Sequence, residues 1–356
     1  MLKNTLITLF CLLITHIVAQ NPYEKSLSEL TTMLNDQTPW SFKKAVFSIE
    51  NAYSNNQLSK EAFDKSIAFL LKLIEAKNKQ VSLINYEEKD KDVLKQHSSI
   101  FKLMTDTTFI VNKNDTLLFL PFRYDFNDMF GREDWSTMFV TKLMATHKGN
   151  CHSMPYLYKI LCEALNIPCY LSLAPNHIYI KNYSEKTGWY NTELTSGSFP
   201  IDGWLMASGF IGLEAIQNGI YMDTLSDKQA VSLCVLDLGK SFDRKYPDND
   251  GEFVIKCCNW ALTYFPKCIN ALLLKAATCK RQVDKRLKER GINTPSVLRQ
   301  QKDSKSLVDE MNNLYKTIHQ LGYRTMPQQM YIDWMHSMVT ERDKYNNKAV
   351  MERNRN

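Results

Sequence analysis

The sequence predicts an α+β protein in which a cysteine-bearing helix packs on an antiparallel sheet, with a helical region before this unit and an all-α region after it. Three observations carry that expectation. Apolar residues recur at helical spacing before about residue 105 and again after about residue 227. Between these stretches, short alternating runs are punctuated by Pro, Asn and Gly, the pattern of strands joined by tight turns. Amid these runs, Lys148-Gly149-Asn150-Cys151-His152-Ser153 breaks one helical pattern and opens another.

The first nineteen residues read as a cleaved export signal: Lys3 precedes an apolar run from Leu6 to Val18, and Ile17-Val18-Ala19 offers a cleavage site. An uncleaved anchor is the alternative, but the run falls short of the ~20 residues a spanning helix needs. A periplasmic or secreted protein with no stable membrane span follows. The rest divides into an N-terminal helical region (20–105), a central α+β domain (106–226) and a helical C-terminal domain (227–356). Of nine cysteines, all but Cys11 lie beyond the signal, too sparse for a disulfide scaffold. Cys162 with Cys169, or Cys268 with Cys279, are pairings that spacing alone leaves open. The net charge of +6 is mild. Much of the excess lies between Lys280 and Lys305 with no aromatic residue to stack a base, which argues for a solvated face and against nucleic acid.

In chain order, Phe42, Val46, Phe47, Ile49 and Tyr53 mark one helix, and Phe63, Ile67, Leu70, Leu71 and Ile74 mark another opened by Ser59. The charged stretch from Asn78 to His97 shows no decisive period. Phe109-Ile110-Val111 and Leu117-Leu118-Phe119-Leu120 flank Asn114-Asp115 as a hairpin, which Pro121 ends. A helix is expected from about Asp134 to Thr146, broken by Gly149, and a second from Cys151 to Leu165 with Leu157, Ile160, Leu161, Ala164 and Leu165 as its apolar stripe. Strands follow over Cys169–Leu173, His177–Lys181 and Trp189–Leu194. Beyond Asp227 only helices are expected: Ala230–Lys245, Glu252–Phe265, Cys268 to about Leu287, Lys305–Gln320 and Gln328–Met338. The segment from Trp260 to Pro266, with Ala271 beyond it, looks like the helix ending and restart of a tetratricopeptide repeat.

A thiol at a helix start meets unpaired N–H groups and the positive end of the helix dipole, which favour the thiolate. Cys151 is therefore the candidate nucleophile. His177 opens a strand directly after a proline turn and is the candidate base. Glu193, on a strand returning beside His177, can fix the imidazole tautomer. His152 is the rival base, but adjacent helical residues point about 100° apart, so it should aim elsewhere. His147, Cys151, His152 and Cys162 are residue types that bind metals, yet Gly149 interrupts the helix that would align them and no Cys-x-x-Cys is present, so neither metal nor cofactor is expected.

The order Gly149-x-Cys151 at a helix start, Pro175-x-His177 at a strand start and Gly188-Trp189 with Glu193 four residues beyond the tryptophan resembles the transglutaminase-like superfamily. The resemblance spans about 134–195, and is greatest to its bacterial branch with tetratricopeptide-like helices. It implies a papain-like core, a Cys151, His177 and Glu193 triad, and a cysteine-dependent acyl-transfer or amide-hydrolysing activity on peptide or protein amides. Leu194-Thr195 stands where the family often has Pro-Thr, Glu193 where it usually has aspartate, and Tyr179 where it often has tryptophan. A catalytically silent protein-binding module with the same fold is the alternative, its C-terminal helices meeting a protein partner. An oxyanion hole would use the Cys151 N–H, with a second donor from Asn150 or the Phe126–Trp135 segment.

Overall fold

A computed structural model describes residues 21–112 and 115–354. The expected export signal and part of the Asn114-Asp115 turn lie outside these residues. The protein is α+β, with small sheets set among helices. Helices α1 (Pro22–Leu34), α2 (Phe42–Tyr53) and α3 (Lys60–Gln80) open on side-chain caps from Asn21, Ser41 and Ser59, each accepting an N–H of the first turn. The undecided stretch after Asn78 resolves into the end of α3, an irregular linker and α4 (Lys91–Thr105).

The hairpin forms as expected from β1 (Thr108–Asn112) and β2 (Asp115–Phe119), antiparallel with Phe109 opposite Leu118. Phe119 anchors it, meeting Phe69 of α3 and Phe122. Then β3 (Arg123–Tyr124) pairs in parallel with β4 (Lys148–Gly149), which places Tyr124 opposite Gly149.

The helix expected over 134–146 is two pieces: a 3₁₀ turn at Trp135–Met138 and α5 (Val140–Thr146). The break has a tertiary cause, since the buried Glu50 carboxylate of α2 accepts the N–H groups of Val140 (2.7 Å) and Thr141 (3.0 Å) and so sets where α5 begins. Gly149 does not end α5. His147 does, in left-handed backbone (φ 55°), with its ring stacked on Phe122. Gly149 is needed for space: a Cβ there would lie 2.4 Å from Ser153 Oγ and 2.7 Å from Leu143 Cδ1. Gly149→Ala is therefore expected to cost about 1–3 kcal/mol and to disturb the loop that carries Cys151. Urea unfolding with parallel thiol labelling checks this, and an unchanged midpoint would refute it.

Helix α6 (Ser153–Ala164) is buried almost all round, not along one stripe. Such a helix belongs at the centre of the fold. Phe42 of α2 meets Tyr156 edge-on, and even Lys159 is buried, its ammonium held by Cys169 O and Asp227 Oδ1 at 3.0 Å each. Next comes the antiparallel sheet β5 (Tyr170–Ala174), β6 (His177–Ser184) and β7 (Gly188–Thr192). The β5–β6 turn is Pro175-Asn176, with Asn176 at φ 57°, a conformation asparagine tolerates well.

After two short helices the chain is helical: α7 (Asp227–Lys245), α8 (Glu252–Tyr264), α9 (Ile269–Arg290), α10 (Lys305–Gln320) and α11 (Gln328–Thr340). A capping box of Ser226 and Gln229 starts α7, and Gly291 in left-handed backbone ends α9. Tyr23 of α1 packs edge-on against Phe242 of α7 and Phe253 of α8, so the first and last helical regions share a core around α6. Among the described residues the eight cysteines are free and buried. No described helix is long and apolar enough to cross a membrane.

Candidate active site

Cys151, His177 and Glu193 converge. Cys151 lies in the turn that leads into α6, two residues before its first regular residue. Asn150 shapes this turn: its Oδ1 accepts the N–H groups of His152 (3.0 Å) and Ser153 (3.1 Å), while its own N–H donates to Ser153 Oγ. The Asn150 amide nitrogen donates to Met129 O at 3.1 Å and faces Met138 Sδ. It is thus a positioning group, committed away from the oxyanion role expected of it.

His177 is the first residue of β6. Extending the β6–β7 register puts Glu193 across from Tyr179, a diagonal neighbour of His177 on the same face of the sheet. His177 Nε2 meets Glu193 Oε2 at 2.7 Å. The glutamate is one methylene longer than aspartate, and Thr195 holds its other oxygen, donating from both N–H (2.9 Å) and Oγ1 (2.6 Å). Thr195 thus orients the carboxylate as Glu193 orients the imidazole. All three are buried: Cys151 is 9%, His177 3% and Glu193 1% exposed.

Burial by itself would raise the Cys151 thiol, but the hydrogen bond and charge of His177, followed by the Tyr331 hydroxyl, outweigh it and hold the thiol below its ordinary value. For His177, burial disfavours the imidazolium; the Glu193 charge and the partners at Cys151 and Glu193 reverse this and push the imidazole up to about 10. Both directions favour a thiolate–imidazolium pair at neutral pH.

Two tyrosines and two tryptophans complete the site. Tyr331 of α11 donates its hydroxyl to Cys151 Sγ at 3.3 Å and also lies 3.3 Å from His177 Nδ1. Tyr124 of β3 meets Tyr331 hydroxyl to hydroxyl at 3.3 Å, and the nearby Cys151 charge bears on its phenol. Trp334, one turn along α11, sets its ring edge-on to His177 and stacks on Trp204 at 4.3 Å. The indole N–H of Trp334 donates to Trp204 O, and that of Trp204 to Ser337 Oγ. Helix α11 thereby covers the thiol. The aromatic run around Tyr124 is visible in the sequence; Tyr331 and Trp334 have no local pattern that separates them from other helical aromatics.

His152 points to the opposite side, as its place in the chain implies. Its Nε2 is 2.9 Å from Asp237 Oδ2, its Nδ1 2.9 Å from Met138 O, and Tyr156 donates to the same carboxylate oxygen at 2.7 Å. Burial disfavours the His152 imidazolium, but the Asp237 charge prevails and raises it. This largely buried pair ties the start of α6 to α7. His147 Nδ1 meets Leu120 O, and Cys162 Sγ lies 3.8 Å from His97 Nδ1, so His147, Cys151, His152 and Cys162 are scattered. Among the described residues no group of three or more His, Cys, Asp or Glu is arranged to hold a metal ion.

No family model, curated protein or solved structure matches this chain.

Proposed function

We propose that this chain is an exported cysteine-dependent acyl-transfer or amide-hydrolysing enzyme with a transglutaminase-like core, acting on peptide or protein amides through a thioester. The observation that carries the reading is the buried Cys151, His177 and Glu193 cluster, with imidazole and carboxylate 2.7 Å apart and the thiol beside the imidazole. Cys151 thiolate adds to the amide carbonyl carbon. As the tetrahedral adduct collapses, the C–N bond breaks, the leaving amine takes the His177 proton, and a thioester remains. Water or a lysine amine, deprotonated by His177, then resolves the thioester to acid or to a new amide. Glu193 and Thr195 hold the imidazole throughout.

The test is the pH profile of Cys151 alkylation by iodoacetamide, followed by intact mass with Cys151→Ser as the blank. Half-maximal rate is expected below the ordinary thiol value near 9. His177→Ala is expected to move the profile upward and to slow labelling at pH 6.5 at least about tenfold, the equivalent of one pKa unit. A wild-type midpoint at the ordinary thiol value would refute the enzyme reading. Closure of the site by Tyr331 favours a second reading, a catalytically silent module in which the tetratricopeptide-like C-terminal helices meet a protein partner. That reading requires the thiol to remain ordinary even in a variant that uncovers it.

A further inference from the structure

A tetrahedral adduct on Cys151 places a negative oxygen beside the sulfur, in a buried site where an unpaired charge is costly. Donors already fixed near the sulfur are few. Among the described residues the Cys151 N–H finds no backbone acceptor, which leaves it available as one donor. The Asn150 amide is turned to Met129 O and Met138 Sδ. In the Phe126–Trp135 segment, the N–H of Asn127 serves Asp125, and those of Arg132, Glu133 and Asp134 serve Asp128. Both tryptophan indoles are committed to Trp204 O and Ser337 Oγ.

Among the side chains two phenols remain, and they are held differently. Tyr331 belongs to α11 and spans sulfur and imidazole, the path along which the reacting carbonyl must enter. Tyr124 belongs to the sheet beside the nucleophile. Its strand pairs with Lys148-Gly149, and Asp125 N–H donates to Gly149 O at 2.7 Å, so the backbone that carries the phenol is fixed relative to the Cys151 turn; when Tyr331 leaves the path of the carbonyl, the Tyr124 O–H loses its Tyr331 partner and is free to donate. We propose that Tyr124 is the side-chain oxyanion donor of this site, acting with the Cys151 N–H. The assignment rests on the acyl-transfer reading above.

In the step itself, the sulfur lone pair forms the S–C bond and the carbonyl π pair moves to oxygen. The Tyr124 O–H and Cys151 N–H then hydrogen-bond to that oxygen without giving up their protons. Burial, then the adjacent Cys151 charge, keep the Tyr124 phenol far above its ordinary range, so it stays a donor across the working pH. When the oxygen pair re-forms the carbonyl, the leaving group departs and both donors are released.

The experiment compares two reactions of Cys151 in the full chain. Acylation by p-nitrophenyl acetate, read as the nitrophenolate burst, passes through an oxyanion; alkylation by iodoacetamide does not. Both are measured in wild type and in Tyr331→Ala, each with and without Tyr124→Phe, and circular dichroism melts confirm the fold. Tyr124→Phe is expected to slow acylation about a hundredfold, the usual effect of removing one oxyanion donor, while alkylation changes less than about threefold. An unchanged burst rate overturns the assignment. So does a parallel loss of both rates, because Tyr124 would then act on the thiolate. A burst absent from the Tyr124-containing proteins too would overturn the acyl-transfer reading and this assignment with it, and is distinguishable because the failure then lies outside the variant.

Discussion

Trp334→Ala is expected to raise the alkylation rate of Cys151 by about a hundredfold or more. The sulfur is 9% exposed beneath α11, so a reagent is expected to reach it when that helix lifts, with a rate that follows the population of the lifted state. Trp334 is 6% exposed, stacks on Trp204 at 4.3 Å and donates its indole N–H to Trp204 O. Truncating a buried tryptophan costs about 3–5 kcal/mol, and each 1.4 kcal/mol is about tenfold in the open population. Tyr331→Phe removes only the hydroxyl contacts and should give a much smaller rise. Labelling kinetics by intact mass decide the matter, alongside thermal melts to separate local lifting from global unfolding. Rates equal to wild type in both variants would show that the reagent enters without moving α11.

Glu193→Ala should destabilise the fold by about 3–5 kcal/mol, since it strands one partner of a buried ion pair. The Thr195 N–H and hydroxyl would lose their acceptor as well. The pH dependence has a definite sign. The folded His177 titrates at about 10, above its ordinary value of 6.5. The pair's contribution is therefore present in full below the unfolded value and is lost as pH rises through the folded one. The stability gap between wild type and Glu193→Ala should be widest at pH 6, narrower at pH 8 and smallest at pH 10. Urea midpoints at the three values test this, and a gap independent of pH would mean the imidazolium is not what Glu193 stabilises. Labelling of the variant at pH 6.5 should also slow, because a neutral imidazole no longer supports the thiolate.

Much of the helical architecture was legible locally. Ser41, Ser59 and Ser226 mark helix starts, Gly291 a stop, and the apolar spacing of α2, α3, α7 and α10 predicts the faces they bury. The 134–146 segment was not legible, because a carboxylate from Glu50, some ninety residues earlier, divides it. Gly149 reads as a helix breaker in the sequence, whereas in the fold it makes room for Ser153 and Leu143. His177 and Glu193 were legible because period-two alternation and an antiparallel register place them on one face. Tyr331 was invisible, since it reaches Cys151 from 180 residues further along the chain.

By itself, the sequence determined an α+β chain with a thiol in the turn into a helix, a histidine at the start of a strand and a carboxylate just beyond the end of the next. Those inferences rest on local periodicity and turn chemistry, which act over a few residues. Only the tertiary structure decided that Asp237 is the partner His152 meets, that Asn150 shapes the turn, that Thr195 locks the carboxylate, and that α11 covers the sulfur. The physical reason is that each of these depends on burial and on partners brought together by packing, and neither spacing nor composition encodes which distant side chain fills the last position against a buried thiolate.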